Sequence, residues 1–96
     1  MYQVWIRPKN KEAANRLRDN FKTLDDKFKE IHDQDFTIKN ERFEHGLNLY
    51  ENNDSILVTV HAHDNYYHLK RTKKDVKMAV KEVFGSTDDY KIRKIW

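Results

Sequence analysis

The sequence predicts an α+β protein: an antiparallel-rich sheet of four or five strands with two helices on one face, in the order β-α-β-β-(β)-α-β. Three observations carry this. Ala14, Leu17, Phe21, Leu24, Phe28 and Ile31 recur at steps of 3 and 4, which lines one face of a helix and is useless to a strand. Ile56–His63 is dense in β-branched residues that alternate face by face, the pattern of a central strand. Val76, Ala79, Val80, Val83 and Phe84 repeat the helical spacing once more, ahead of Gly85. With 96 residues, one domain over 1–96 is expected.

The chain opens on a strand, Tyr2–Arg7. Tyr2, Val4 and Ile6 make its apolar side, and Gln3, Trp5 and Arg7 the other. Pro8 lacks the N–H a ladder needs and should stop it. Asn10 suits the N-cap of the long helix, expected over Lys11–Ile31 and fraying near His32, where Asp33, Gln34 and Asp35 follow. Phe36–Asn40 reads as a short strand. Arg42–Tyr50 follows, with Phe43, His45, Leu47 and Leu49 on one side and Gly46 as a bulge or bend. Whether 36–50 is one bent strand or a hairpin stays open. Glu51–Ser55 has turn composition. Tyr66–Lys70 fits either a further strand or the approach to the second helix. Thr72, with Asp75 three residues on, resembles a capping box. Gly85 is placed to end that helix in a left-handed cap. Tyr90–Trp96 closes the chain as a strand, with Tyr90 and Ile92 on one face and Lys91 and Arg93 on the other. The order resembles the ferredoxin-like sandwich in topology, and topology does not carry function.

Composition narrows the chemistry. Apolar residues are 38 % and charged residues 36 % of the chain, so the core must be economical. There is no cysteine, which excludes disulfides, thiolate zinc sites and a cysteine nucleophile. No apolar run approaches a membrane span, and no signal peptide is recognisable, so a cytoplasmic protein without membrane attachment is expected. The net charge of +3 is uneven. Residues 1–64 hold 10 basic and 12 acidic side chains, net −2, and residues 65–96 hold 9 and 4, net +5. A basic final third implies a local electropositive patch, or simply a solvated surface.

Catalytic signals are weak. Ser55 and Ser86 stand in polar turns without a glycine-rich elbow, and Gly46 and Gly85 form no phosphate loop. Asp25-Asp26 and Asp88-Asp89 read as solvated charge. The expectation is a non-enzyme without a cofactor. Five histidines stand out: His32, His45, His61, His63 and His68. His61 and His63 share one side of a strand, a geometry for two ligands on one metal, with Asp64 and His68 nearby. The run His61-Ala62-His63-Asp64-Asn65 is similar to the His-x-His-x-Asp-His motif of the metallo-β-lactamase fold. Asn65 follows Asp64 directly, the second half is missing, and the chain is far too short for that fold. No metal site is therefore assigned, and a small His-dependent metal protein stays as an alternative.

The outward face of the sheet is the stronger candidate. If Val4 and Ile6 face the helices, Trp5 and Arg7 face away, joined by His61, His63, Lys91 and Arg93. A ring for stacking and cations for phosphate are what single-stranded nucleic acid requires. An exposed Trp among Arg and Tyr equally suits a protein interface. Trp5 could instead be covered by a loop, a homodimer mate or Trp96. The reading preferred from sequence is a binding or regulatory protein whose exposed sheet face modulates a larger protein. Short Lys/Asn/Asp-rich chains of this composition are often accessory factors or inhibitors from bacteria, plasmids or phages. Nucleic acid bound by Trp5 and the basic final third is the alternative, set second because acidic residues on the long helix would repel a duplex.

Overall fold

The computed structural model describes residues 2–35, 46–53, 55–62 and 66–96, without the side chains of 33–35 and 66–67. Their elements run β1 (Gln3–Pro8), α1 (Lys11–Asp19), α2 (Phe21–Asp35), β2 (Asn48–Asn52), β3 (Ser55–His61), α3 (Tyr66–Phe84) and β4 (Tyr90–Ile95). The four strands form one antiparallel sheet in the order β2-β3-β1-β4. The chain is therefore α+β, with three helices among the described residues. The expected strand at Phe36–Asn40, and Arg42–His45 of the one after it, lie outside the described residues.

The first long helix is two helices. The apolar 3-4 spacing runs through the junction unbroken, since Leu17 and Leu24 are both fully buried. The break is set by Asn20, at φ −114° and ψ 17°. Its backbone N–H and its side-chain amide both donate to the Arg16 carbonyl, at 3.0 and 2.9 Å. A short amide side chain that bonds its own backbone favours a cap over a helix interior. Upstream, Asn10 caps α1 as expected, its Oδ1 accepting from the Ala13 N–H at 2.8 Å. Downstream, α2 does not fray at His32 but continues through Asp35.

The second helix also starts earlier than expected. Tyr66–Lys70 is its first part, and Thr72 and Asp75 lie buried in its interior rather than at its cap. The reason is tertiary. Asp75 is 0 % exposed, and its Oδ2 lies 2.9 Å from Nδ1 of His32 on α2. The His32 ring is itself stacked on Phe28, with centroids 4.9 Å apart. A buried carboxylate is tolerated only with such partners. Gly85 ends α3 as expected, with φ +86° and its N–H donating to the Lys81 carbonyl at 2.8 Å.

One core lies between helices and sheet. Val4 and Ile6 of β1 and Ile56, Val58 and Val60 of β3 meet Leu17, Leu24 and Phe28 of the first two helices and Leu69, Val76, Ala79 and Val80 of α3. Phe21, Ile31, Val83 and Phe84, expected in that stripe, are only partly buried around it. Tyr90 reaches in from β4, its hydroxyl donating to the Ala13 carbonyl at 3.1 Å. Burial holds the Tyr90 phenol above its ordinary value, against the opposing pull of the Arg16 guanidinium. Gly46 makes a close approach to α2, and the expected bulge or bend involves residues outside the described ones. A Cβ there would lie 2.9 Å from Cε of Lys29, and the next N–H, that of Leu47, donates to Asp25 Oδ1 at 2.7 Å.

Candidate functional site

Strand alternation divides the sheet into two unlike faces. Val4 lies opposite Val60, and Ile6 opposite Val58 and Ile92, all toward the helices. The intervening residues form the outer face. Trp5 lies between Thr59 on β3 and Arg93 on β4. Gln3 lies between His61 and Ile95, Arg7 opposite Lys91, and Tyr50 opposite Leu57. Trp5, Arg7, His61, Lys91 and Arg93 are thus brought to one face, and His63 lies outside the described residues.

Trp5 is held rather than loose. Its indole N–H donates to Gln3 Oε1 at 2.8 Å, and the Arg7 guanidinium carbon stands 5.4 Å from the ring centroid. The ring is half-buried, less exposed than its place on the polar side of the strand implies. Tyr50, at 58 % exposure, adds a second aromatic at the β2 edge. None of the described outward positions on the four strands is an aspartate or glutamate. Glu51, the one acidic residue within the strands, is opposite Ile56 and so on the helix side, paired with Arg18 of α1. The acidic residues of α1 and α2, such as Asp19, Asp26 and Glu30, belong to the helix layer across the sheet from Trp5.

A second basic surface falls within the basic final third, where the sequence implied an electropositive patch without singling out its residues. Lys70, Lys73, Lys74 and Lys77 of α3 line a groove of about 370 Å3 together with Met78 and Lys94. Lys94 faces the opposite way from Lys91 and Arg93, because its register partner is the inward Val4. Its ammonium stands 5.7 Å from the ring of Trp96, which is 70 % exposed. The signal was present in the spacing: Lys70, Lys74 and Lys77 stand at i, i+4 and i+7, one stripe of a helix. A third basic cleft, of about 400 Å3, lies by the start of α1 among Arg7, Lys9, Lys11 and Arg18. There the Asn10 side chain already serves the helix end and Arg18 is engaged by Glu51.

The described histidines do not converge. His61 is on the sheet, His68 on α3 and His32 in the α2–α3 seam. Among the described residues no three His, Asp or Glu side chains are grouped to hold a metal ion. His63 and Asp64, the other members of the His-x-His run, lie outside those residues, as does His45. No described helix is long and apolar enough to cross a membrane. What the fold and this face define is a small α+β protein with an open, cationic and aromatic sheet surface. No protein-family model, curated protein or solved structure gives a significant match to the chain.

Proposed function

We propose that this chain is a non-catalytic binding protein whose functional surface is the outer sheet face around Trp5, and that its partner there is single-stranded nucleic acid. The observation that supports it is the chemistry of that face: a fixed indole and a second aromatic, Tyr50, among Arg7, Lys91, Arg93 and His61, without a carboxylate among its described positions. Rings accept bases by stacking, and cations accept phosphate. The objection that the helix carboxylates repel nucleic acid weighs less here, since those residues sit in the layer on the far side of the sheet. A regulatory role on a protein target, the preference from sequence, is supported by the half-buried Leu57 and Ile95 beside the rings. We also read the wiring as ferredoxin-like, on the ground that both helical crossovers, β1 to β2 and β3 to β4, skip one strand.

The test is fluorescence anisotropy with labelled oligonucleotides across a salt series. Binding should fall log-linearly with salt, with a slope near −2 for about three phosphate contacts. Trp5→Ala should weaken it by about 10-fold or more, as loss of one stacking platform does, with the circular dichroism spectrum retained. Absence of oligonucleotide binding, with salt-insensitive retention of a protein partner that Trp5→Ala releases, would transfer the face to a protein target.

A further inference from the structure

The lysine groove on α3 has no part in the sheet surface, yet the two are joined. Among the described strands, β4 is one edge of the sheet and β2 the other. On its outer side β4 carries Lys91 and Arg93, and on its helix side Lys94, which lines the groove with Lys70, Lys74 and Lys77. Cations therefore continue from Arg7 across β4, around the open edge and onto the exposed stripe of α3. Each end of the band carries a tryptophan: Trp5 on the sheet, and Trp96 beside Lys94. The acidic residues nearest in sequence are largely engaged. Asp88 and Asp89 precede β4 at the end where Lys91 lies opposite Arg7, Asp89 pairs with Arg16 at 2.7 Å, and Asp75 is buried against His32. Glu82 is occupied by Lys27 at 3.3 Å.

We propose that this band is one continuous track, and that a single strand of nucleic acid bound on the sheet face passes over the β4 edge and lays its backbone into the α3 groove. The inference rests on the reading of the sheet face given above. The two basic surfaces lie on opposite sides of one strand, so their common ligand must bend sharply within a few nucleotides. A duplex is stiff on this scale, with a persistence length of about 50 nm, whereas a single strand turns freely. Lysines suit this part of the track because they neutralise phosphate without demanding a fixed geometry. The groove adds affinity and length to the site, and the sheet face provides the stacking.

The experiment compares the wild type with Lys70→Gln/Lys74→Gln/Lys77→Gln, substitutions at exposed positions by a residue of similar helix propensity. Each is titrated with single strands of roughly 4 and roughly 12 nucleotides, spanning the common range of single-strand site sizes, and with a duplex of the longer length. The short strand should bind both proteins alike. The longer strand should bind the wild type more tightly, and the triple variant should lose about 10-fold or more of that gain. Its salt slope should become shallower by about 2, for three lost phosphate contacts. The duplex should bind weakly and indifferently to the substitutions. Equal binding of the longer strand by both proteins, or a duplex bound as well as the single strand, would overturn the track while leaving the sheet-face reading intact. Failure of the wild type to bind any oligonucleotide would overturn both.

Discussion

The two faces of the sheet are made from alternate residues of the same strands, and they obey different rules. Toward the helices every central position of β1 and β3 is apolar: Val4, Ile6, Ile56, Val58 and Val60 are 0–5 % exposed. Away from them the neighbouring positions hold Trp5, Arg7, Leu57, Thr59 and His61. The inner face is accounted for by folding alone, because hydrophobic burial needs those residues there. The outer face is not. Arg7, Lys91 and Arg93 suit any wet surface, but a tryptophan pinned by Gln3 and roofed by Arg7 is not needed to keep a sheet soluble. The comparison separates what the fold requires from what a partner would require.

The sharpest way to break it is to cut each face and measure both stability and binding. Phe28→Ala on the inner side should cost about 3–5 kcal/mol, since the ring is fully buried and its loss leaves a cavity. Denaturant titration measures it, and a loss under about 1 kcal/mol would show that the seam is not the core. Asp75→Ala should cost about 2–3 kcal/mol by removing the carboxylate that His32 meets in a buried seam. A double-mutant cycle with His32→Ala isolates the pair, and additive losses would deny the coupling.

On the outer side the balance should reverse. Trp5→Ala should lower stability by only about 1–2 kcal/mol, the worth of a partly buried ring, while weakening partner binding by about 1–3 kcal/mol. An unfolded Trp5→Ala protein would show that the ring belongs to the core and would erase the distinction between the faces.

The smallest effect expected is at Tyr90, where core and surface meet. Removal of its hydroxyl in Tyr90→Phe should cost about 1 kcal/mol at neutral pH, with the hydrogen bond to Ala13. The pH dependence sharpens this. Burial raises the phenol's pKa in the folded state, so the folded protein holds that proton more tightly than the unfolded chain. This contribution is fully present below about pH 10, the unfolded value, and is lost as pH rises through the higher folded value. Tyr90→Phe should lose less stability than the wild type across that alkaline range.

Much of this plan was legible in the residues, and the parts that were not share a cause. Asn10 and Gly85 announced their helix ends because capping is local chemistry, decided within four residues. β3 and the two faces of β1 were legible because alternation needs no partner. The break at Asn20 was hidden, since Leu17 and Leu24 keep the apolar spacing in phase across it. Thr72 and Asp75 looked like a cap because the real partner of Asp75, His32, is 43 positions away. Trp5, Arg7, Lys91 and Arg93 could be set on one face by counting in twos. Lys94 falls on the other face by the same count, but that its side chain meets the α3 lysines depends on helix docking, which no local pattern contains.

The cations on β4 also bear on how this edge would meet a second copy of the chain. An edge strand exposes a row of unsatisfied backbone donors and acceptors, and a second copy could extend the sheet by laying its own β4 alongside. Here that approach would stack Lys91, Arg93 and Lys94 against the same three charges of the other molecule. Such repulsion would oppose self-pairing along β4 and the ordered polymers that edge pairing seeds. Neutralising the three β4 positions together would make this edge stickier, whatever its effect on a partner.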